Sequence, residues 1–375
     1  MKKSQVTQLL AGLFVGAVLG WSGVQLGRSL HLAIPVSTPA DKITGAAIIL
    51  FAAWFALAFH ELAHLTTGLW QGFRFHLYVA GFLGVRQHPE TDRVQWYFNT
   101  DLRLFGGVAA TLPRAESPDL TIRFARMVIA GPLSSLLLAL AGGFGGWLLT
   151  GSTVTAWRFV ALFLLSTAAV SFFLFLATTV PSRTGMFFTD RARYFRLISG
   201  GKTAEVERAM LELIAFVQSG KPMEQMNLAN IKLGRQDATY AYFAEFYAFF
   251  HYLATEKHEE ALAASDQMSR LPEDMPPAFR AEFLKEVCFA AAFLKRDADA
   301  ANDWWKKIEK QLAKREDVPV LRLKAALCRV NGDLAGAQRL VYQALAKLEK
   351  KQLPQGSAHL EQRLLRDLAR EGLGD

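Results

Sequence analysis

The chain reads as a polytopic α-helical membrane protein with a small membrane-associated β-hairpin, followed by a soluble α-helical repeat domain of the α-solenoid type. Three observations predict this. Half of its 375 residues (51%) are hydrophobic, mean hydropathy is +0.16, and the apolar residues gather in long runs with few charges. The net charge of +8 belongs entirely to the first half: residues 1–199 hold 16 Lys and Arg against 8 Asp and Glu, whereas residues 200–375 hold 26 of each. Beyond Gly200-Gly201 the composition turns abruptly to charged, alanine-rich helix.

Four apolar runs, 6–27, 43–69, 124–150 and 156–180, each exceed the roughly 20 residues that a bilayer core demands. The first follows Met-Lys-Lys but lacks a small-residue cleavage site, since Arg28 comes directly after Gly27, and it reads as a retained anchor. The last two are separated only by the polar turn TGSTVTA. Residues 1–42 form an anchor and external loop, 43–201 a membrane core and 202–375 a helical domain.

Charge sets the orientation. If the N-terminus is cytoplasmic, only Arg28, Lys42 and Arg158 of the basic residues in this half lie outside, so both termini are expected in the cytoplasm and the chain in the inner membrane. The basic excess is accounted for by anionic lipid headgroups and requires no nucleic acid. Both cysteines, Cys288 and Cys328, lie in the second half and imply no disulfide framework.

Between the second and third runs, Phe73, Phe75, Leu77 and Val79 alternate with Arg74, His76, Tyr78 and Ala80. A period of two predicts a strand, and HPETDR (88–93) a turn before VQWYF. In the second half, three stretches (248–272, 290–312 and 325–354) align on Ala261, Ala301 and Ala337 with periods of 40 and 36 residues. That spacing predicts stacked helical hairpins similar to degenerate tetratricopeptide repeats, offering a surface to a protein or peptide partner.

One apolar run carries chemistry. FHELAH (59–64) follows ITGAAIILFAAWFALA, sixteen residues without a charge. On a helix His60 and His64 stack on one face with Glu61 beside them, the spacing by which two imidazoles hold a tetrahedral zinc while a glutamate takes a proton from water. Each ionisable residue in mid-membrane costs about 2.5–3.5 kcal/mol, so three within little more than a turn call for compensation by metal, partners or water. At 1.5 Å per residue His60 lies roughly 26 Å from Ile43, within reach of water from the cytoplasmic side. A third protein ligand is expected, and His76, His88 and Asp190 all lie on that side; an aspartate flanked by Arg191 and Arg193 also suits a solvated ion pair.

HELAH in an apolar run, AGPLSSLLLAL (130–140) opening the next and the span from Pro181 to Asp190 resemble, in this order, the site-2 protease family of intramembrane zinc metalloproteases. GFRFHLYVAGFLGVRQH (72–88) and VQWYFNTDLRLFGGVAATLP (94–113) are similar to the membrane-associated strands of one bacterial branch. The likeness covers residues 43–201. It implies one zinc ion held by His60, His64 and Asp190, Glu61 as general base, a kink at Gly131-Pro132, and a membrane-protein substrate. The chain departs from the family at Arg191, where glycine commonly follows the aspartate, and at Thr178, where asparagine is usual. The rival expectation is a catalytically silent relative that anchors the repeat domain as a scaffold. A metal transporter would need a second ligand cluster along a path across the bilayer, which the sequence does not offer. Ser134, Ser135 and Thr178 are hydroxyls near these motifs without an assigned role.

Overall fold

The structure, a computed structural model, describes residues 38–87, 93–101, 104–180, 183–184, 187–271, 275, 277–350 and 355–370. The expected anchor at 6–27, His88 with most of the 88–93 turn, and Pro181 lie outside the described residues.

Three long helices pack on one another: α1 (Pro39–Trp70), α2 (Leu120–Leu149) and α3 (Thr155–Thr179). All three are long and apolar enough to cross a membrane. The first is started by a capping box. Thr38 Oγ1 accepts the N–H of Asp41 at 3.2 Å, the Asp41 carboxylate accepts the N–H of Thr38 at 3.1 Å, and Pro39 needs no partner for a donor it lacks. Helices α2 and α3 approach closely because glycines face the partner; a Cβ on Gly142 would stand 2.9 Å from the Leu164 carbonyl oxygen. Pro132 lies well inside α2, twelve residues beyond its start at Leu120, so Gly131-Pro132 does not open this helix as expected.

The expected hairpin is part of a larger element. β1 (Arg74–Ala80), β2 (Leu83–Gln87), β3 (Val94–Phe98) and β4 (Val108–Leu112) form an open antiparallel sheet in the order β3-β2-β1-β4. The alternation read from the sequence holds for only half of β1. Opposite β4 the register shifts between Phe75 and Leu77, a bulge at His76 that reverses which side chains face the core. Phe75, Tyr78 and Ala80 therefore pack together against Ala58 and Leu65 of α1. Trp54 Nε1 donates to the Ala80 carbonyl at 3.0 Å and the Tyr78 hydroxyl to the Ala58 carbonyl at 2.8 Å, tying the sheet along α1.

After α3, residue pairs β5 (Arg183–Thr184) and β6 (Phe187–Phe188) precede the short α4 (Asp190–Ile198). The second half is helical: α5 (Gly201–Gln218), α6 (Leu228–Gly234), α7 (Ala241–Ala254), α8 (His258–Met268), α9 (Pro277–Phe293), α10 (Ala298–Leu312), α11 (Val318–Val330), α12 (Leu334–Lys350) and α13 (Gln355–Arg370). Helices α7–α8, α9–α10 and α11–α12 pair as hairpins. Ala261, Ala301 and Ala337, the aligned residues, are buried in the second helix of each pair. The turns repeat too: Glu256, Arg296 and Gly332 adopt positive φ angles of 58°, 53° and 87° at the same place in the three hairpins.

The two halves share a core. Phe73, Leu120, Ala125, Met127 and Val128 from the apolar half cluster with Leu197 of α4 and with Leu211 and Ala215 of α5.

Candidate metal centre

Two imidazoles and a carboxylate converge between α1, α2 and α4. His60 and His64 lie one helical turn apart on α1, 3% and 8% exposed, with their Nε2 atoms 3.2 Å apart. Asp190, the first residue of α4, brings Oδ2 to 3.3 Å from His60 Nε2 and 3.4 Å from His64 Nε2. This group can hold a metal ion.

The neighbours orient the rings. His64 Nδ1 lies 2.9 Å from the carbonyl oxygen of Met127 on α2. A carbonyl only accepts, so Nδ1 carries a hydrogen and Nε2 is the nitrogen that faces Asp190. His60 Nδ1 lies 2.8 Å from the hydroxyl of Ser135, itself 1% exposed. Three donor atoms thus share one point, and only a cation, whether proton or metal, holds such a set together.

Gly131 makes room for it. A Cβ there would stand 2.1 Å from His64 Nε2 and 2.8 Å from His60 Nε2. Real Cβ contacts never come this close, so the backbone of α2 can cross the imidazoles only as glycine. The residue read from the sequence as half of a kink instead bounds the site.

Glu61 is buried beside the histidines and accepts a hydrogen bond from the backbone N–H of Ala109 on β4, an edge strand of the sheet. The turn leading to it brings the chain against this carboxylate: Gly107 has φ +96°, and a Cβ there would meet Glu61 Oε1 at 2.6 Å.

Among the expected candidates, His76 is exposed at the bulge of β1, apart from this group. Arg191, which could have competed for Asp190, instead donates to the Thr179 carbonyl and lies over the Phe195 ring, 5.5 Å from its centroid. The Ser134 and Thr178 hydroxyls bond back to their own helices, at the Gly131 and Leu174 carbonyls. Sequence reading missed Gly107, Ala109 and the orienting roles of Ser135 and Met127. The Gly-Gly before VAATL was a signal for the first; a backbone carbonyl leaves none.

Comparison with protein-family models, curated proteins and solved structures finds no match.

Proposed function

We propose that the protein is an intramembrane zinc metalloprotease of the site-2 protease type, hydrolysing a peptide bond in or near a membrane-spanning segment of another protein. The observation that carries this reading is the convergence of His60, His64 and Asp190 on one point, with Glu61 adjacent, among helices apolar enough for a membrane.

The donor distances support zinc. Ligand atoms bonded at about 2.0–2.1 Å to a tetrahedral ion stand about 3.3 Å apart. Here the separations are 3.2, 3.3 and 3.4 Å. Two nitrogens and one oxygen would hold the ion, leaving room for water or substrate as a hydrolytic centre requires. Zinc held there would supply Lewis acidity, activating water and polarising a carbonyl. The rest falls to the chain. The Met127 carbonyl and the Ser135 hydroxyl fix the imidazoles, Gly131 leaves the approach clear, and the Ala109 N–H aims the Glu61 carboxylate, which accepts the proton as general base. A helical substrate must unwind before its carbonyl can be attacked, and β4, an edge strand beside Glu61, suits the pairing of an extended segment by strand addition.

The membrane reading is supported by what the long helices expose. Leu50, Leu137 and Phe144 are 73%, 66% and 63% exposed, a liability in water and the expected lipid contact in a bilayer. Trp70 ends α1, while Trp147 and Trp157 flank the turn between α2 and α3, the placement of an interfacial aromatic belt. Together with the positive-inside rule this supports a reading in which both termini are cytoplasmic, the centre lies near the cytoplasmic face of the inner membrane, and the helical domain meets a protein or peptide partner.

The test is zinc content of detergent-purified protein together with hydrolysis of fluorogenic transmembrane peptides. The parent should hold one equivalent and cleave. Glu61→Gln should keep the zinc and lose cleavage. A parent without zinc, or a Glu61→Gln protein as active as the parent, sinks the reading.

A further inference from the structure

Asp190 differs from the two histidines in what holds it. His60 and His64 ride on a helix of 32 residues, whereas Asp190 begins one of nine. So short a helix does not hold its own position; neighbours must set it. On the apolar side Leu197 packs with Leu120, Ala125 and Phe73. The other side belongs to the helical domain.

There α4 presents two arginines to one carboxylate. Glu207 of α5 is 0% exposed, and its oxygens lie 2.6 Å from Arg196 Nε and 3.3 Å from Arg193 Nε. The Tyr240 hydroxyl sits 2.8 Å from both oxygens of Glu207, and Arg196 Nη2 reaches Asp237 at 2.8 Å. Arg193 also lies over the Phe124 ring of α2, 5.3 Å from its centroid. A fully buried carboxylate has no water to turn to, so a setting of α4 that took both arginines away would leave its charge uncompensated. Arg193 stands one turn from Asp190 on the same face of α4, about 4.5 Å along the axis. Rotation or sliding that freed Arg193 from Glu207 would therefore carry the Asp190 carboxylate away from the imidazoles.

We propose that Glu207 is a positioning residue of the metal centre: by holding Arg193 and Arg196 from the helical domain, it fixes α4 so that Asp190 meets His60 and His64. The helical domain is then part of the centre's support and not only an appendage to the membrane half. This inference rests on the reading that the three residues bind a metal.

The test is zinc affinity of the full-length protein in detergent, measured by chelator competition, with cobalt substitution as a spectroscopic check of ligand geometry. Glu207→Gln preserves shape and the tyrosine contact but removes the charge, and should weaken zinc binding by about tenfold or more, the scale on which outer-shell partners act. Its cobalt spectrum should change as well. Arg196→Met should behave similarly and Arg196→Lys should recover part of the loss. A control separates positioning from general destabilisation: Arg322→Met removes a buried ion pair elsewhere in the helical domain and should lower thermal stability with zinc affinity unchanged. The proposal is overturned if Glu207→Gln and Arg196→Met bind zinc as the parent does, or if Arg322→Met weakens binding as much as they do. If the parent binds zinc and His64→Ala does not, the centre stands whatever Glu207 does; a parent without zinc overturns both.

Discussion

Two of the places where the molecule buries ionisable groups are built on opposite plans. In the helical domain Arg322 is wholly buried, yet its guanidinium lies 2.8 Å from both Glu286 and Glu361 and stacks on the Phe289 ring at 3.9 Å. Lys285 adds a second cation, 3.4 Å from Glu286 and 2.6 Å from Glu282. Here every charge meets its opposite, and the group joins α9, α11 and α13. Between α1, α2 and α4, by contrast, two imidazole nitrogens and a carboxylate oxygen face one another, and the group includes no lysine or arginine. A buried polar cluster that balances itself holds a fold together; one that converges on a point and leaves its balance to something else invites a ligand.

The largest effects should come from breaking the second cluster. Glu61→Gln is expected to keep the zinc and lower peptide hydrolysis by about 10²–10⁴-fold, the weight of a general base; His64→Ala or Asp190→Ala should lose zinc and activity together. Elemental analysis beside the peptide assay reads both. Gly131→Ala sharpens the contrast, because alanine improves helix propensity by about 1 kcal/mol while its methyl enters the space beside both Nε2 atoms. Zinc binding should fall with helix content and thermal stability intact, and an alanine protein that binds like the parent would remove Gly131 from the site.

Breaking the first cluster should do the reverse. Arg322→Met leaves Glu286 and Glu361 buried without their partner and should destabilise the helical domain by about 3–5 kcal/mol. Denaturant unfolding followed by the fluorescence of Trp304 and Trp305 would measure it. The same domain should weaken in acid. Burial by itself would raise the Glu282 and Asp317 carboxyls, but Lys285 and Arg315 beside the first and Arg315 beside the second hold both below their ordinary values. Their contribution is full above the usual carboxylate range of about 4 and is lost as pH falls through the lower folded values. Arg315→Met should flatten this acid dependence in unfolding curves. The smallest expected effect lies in a turn. Arg296 holds a left-handed φ of 53° where the third hairpin has Gly332, so Arg296→Gly should raise stability by up to about 1 kcal/mol, and a lower thermal midpoint would show that the side chain matters more than the strain.

Much of this was legible in the residues. Apolar runs of this length suit helices that bury or face apolar surroundings, and the described helices α1, α2 and α3 lie over the runs at 43–69, 124–150 and 156–180. The repeat period was legible because it is carried by small residues wherever paired helices touch; the same spacings of 40 and 36 recur in the left-handed turn residues. The strand face was misread beyond His76, since a bulge depends on the partner strand, which a period of two cannot reveal. Four strands in place of a hairpin follow for a similar reason: β4 is short and weakly patterned, and it becomes a strand by pairing with β1.

By itself the sequence determined that His60, Glu61 and His64 share a helix face, because four-residue spacing and helical geometry are local. It also determined that such a face in an apolar run needs compensation, because desolvation depends on residue type and surroundings. Only the tertiary structure decided which groups complete that face. Asp190 follows His64 by more than a hundred residues and reaches it because α4 is set between the apolar helices and Glu207. Gly131 matters through the atoms a side chain would strike, Met127 through a backbone oxygen, and Ala109 through a backbone hydrogen. Such roles belong to positions in space, and side-chain identity along a chain carries no record of them.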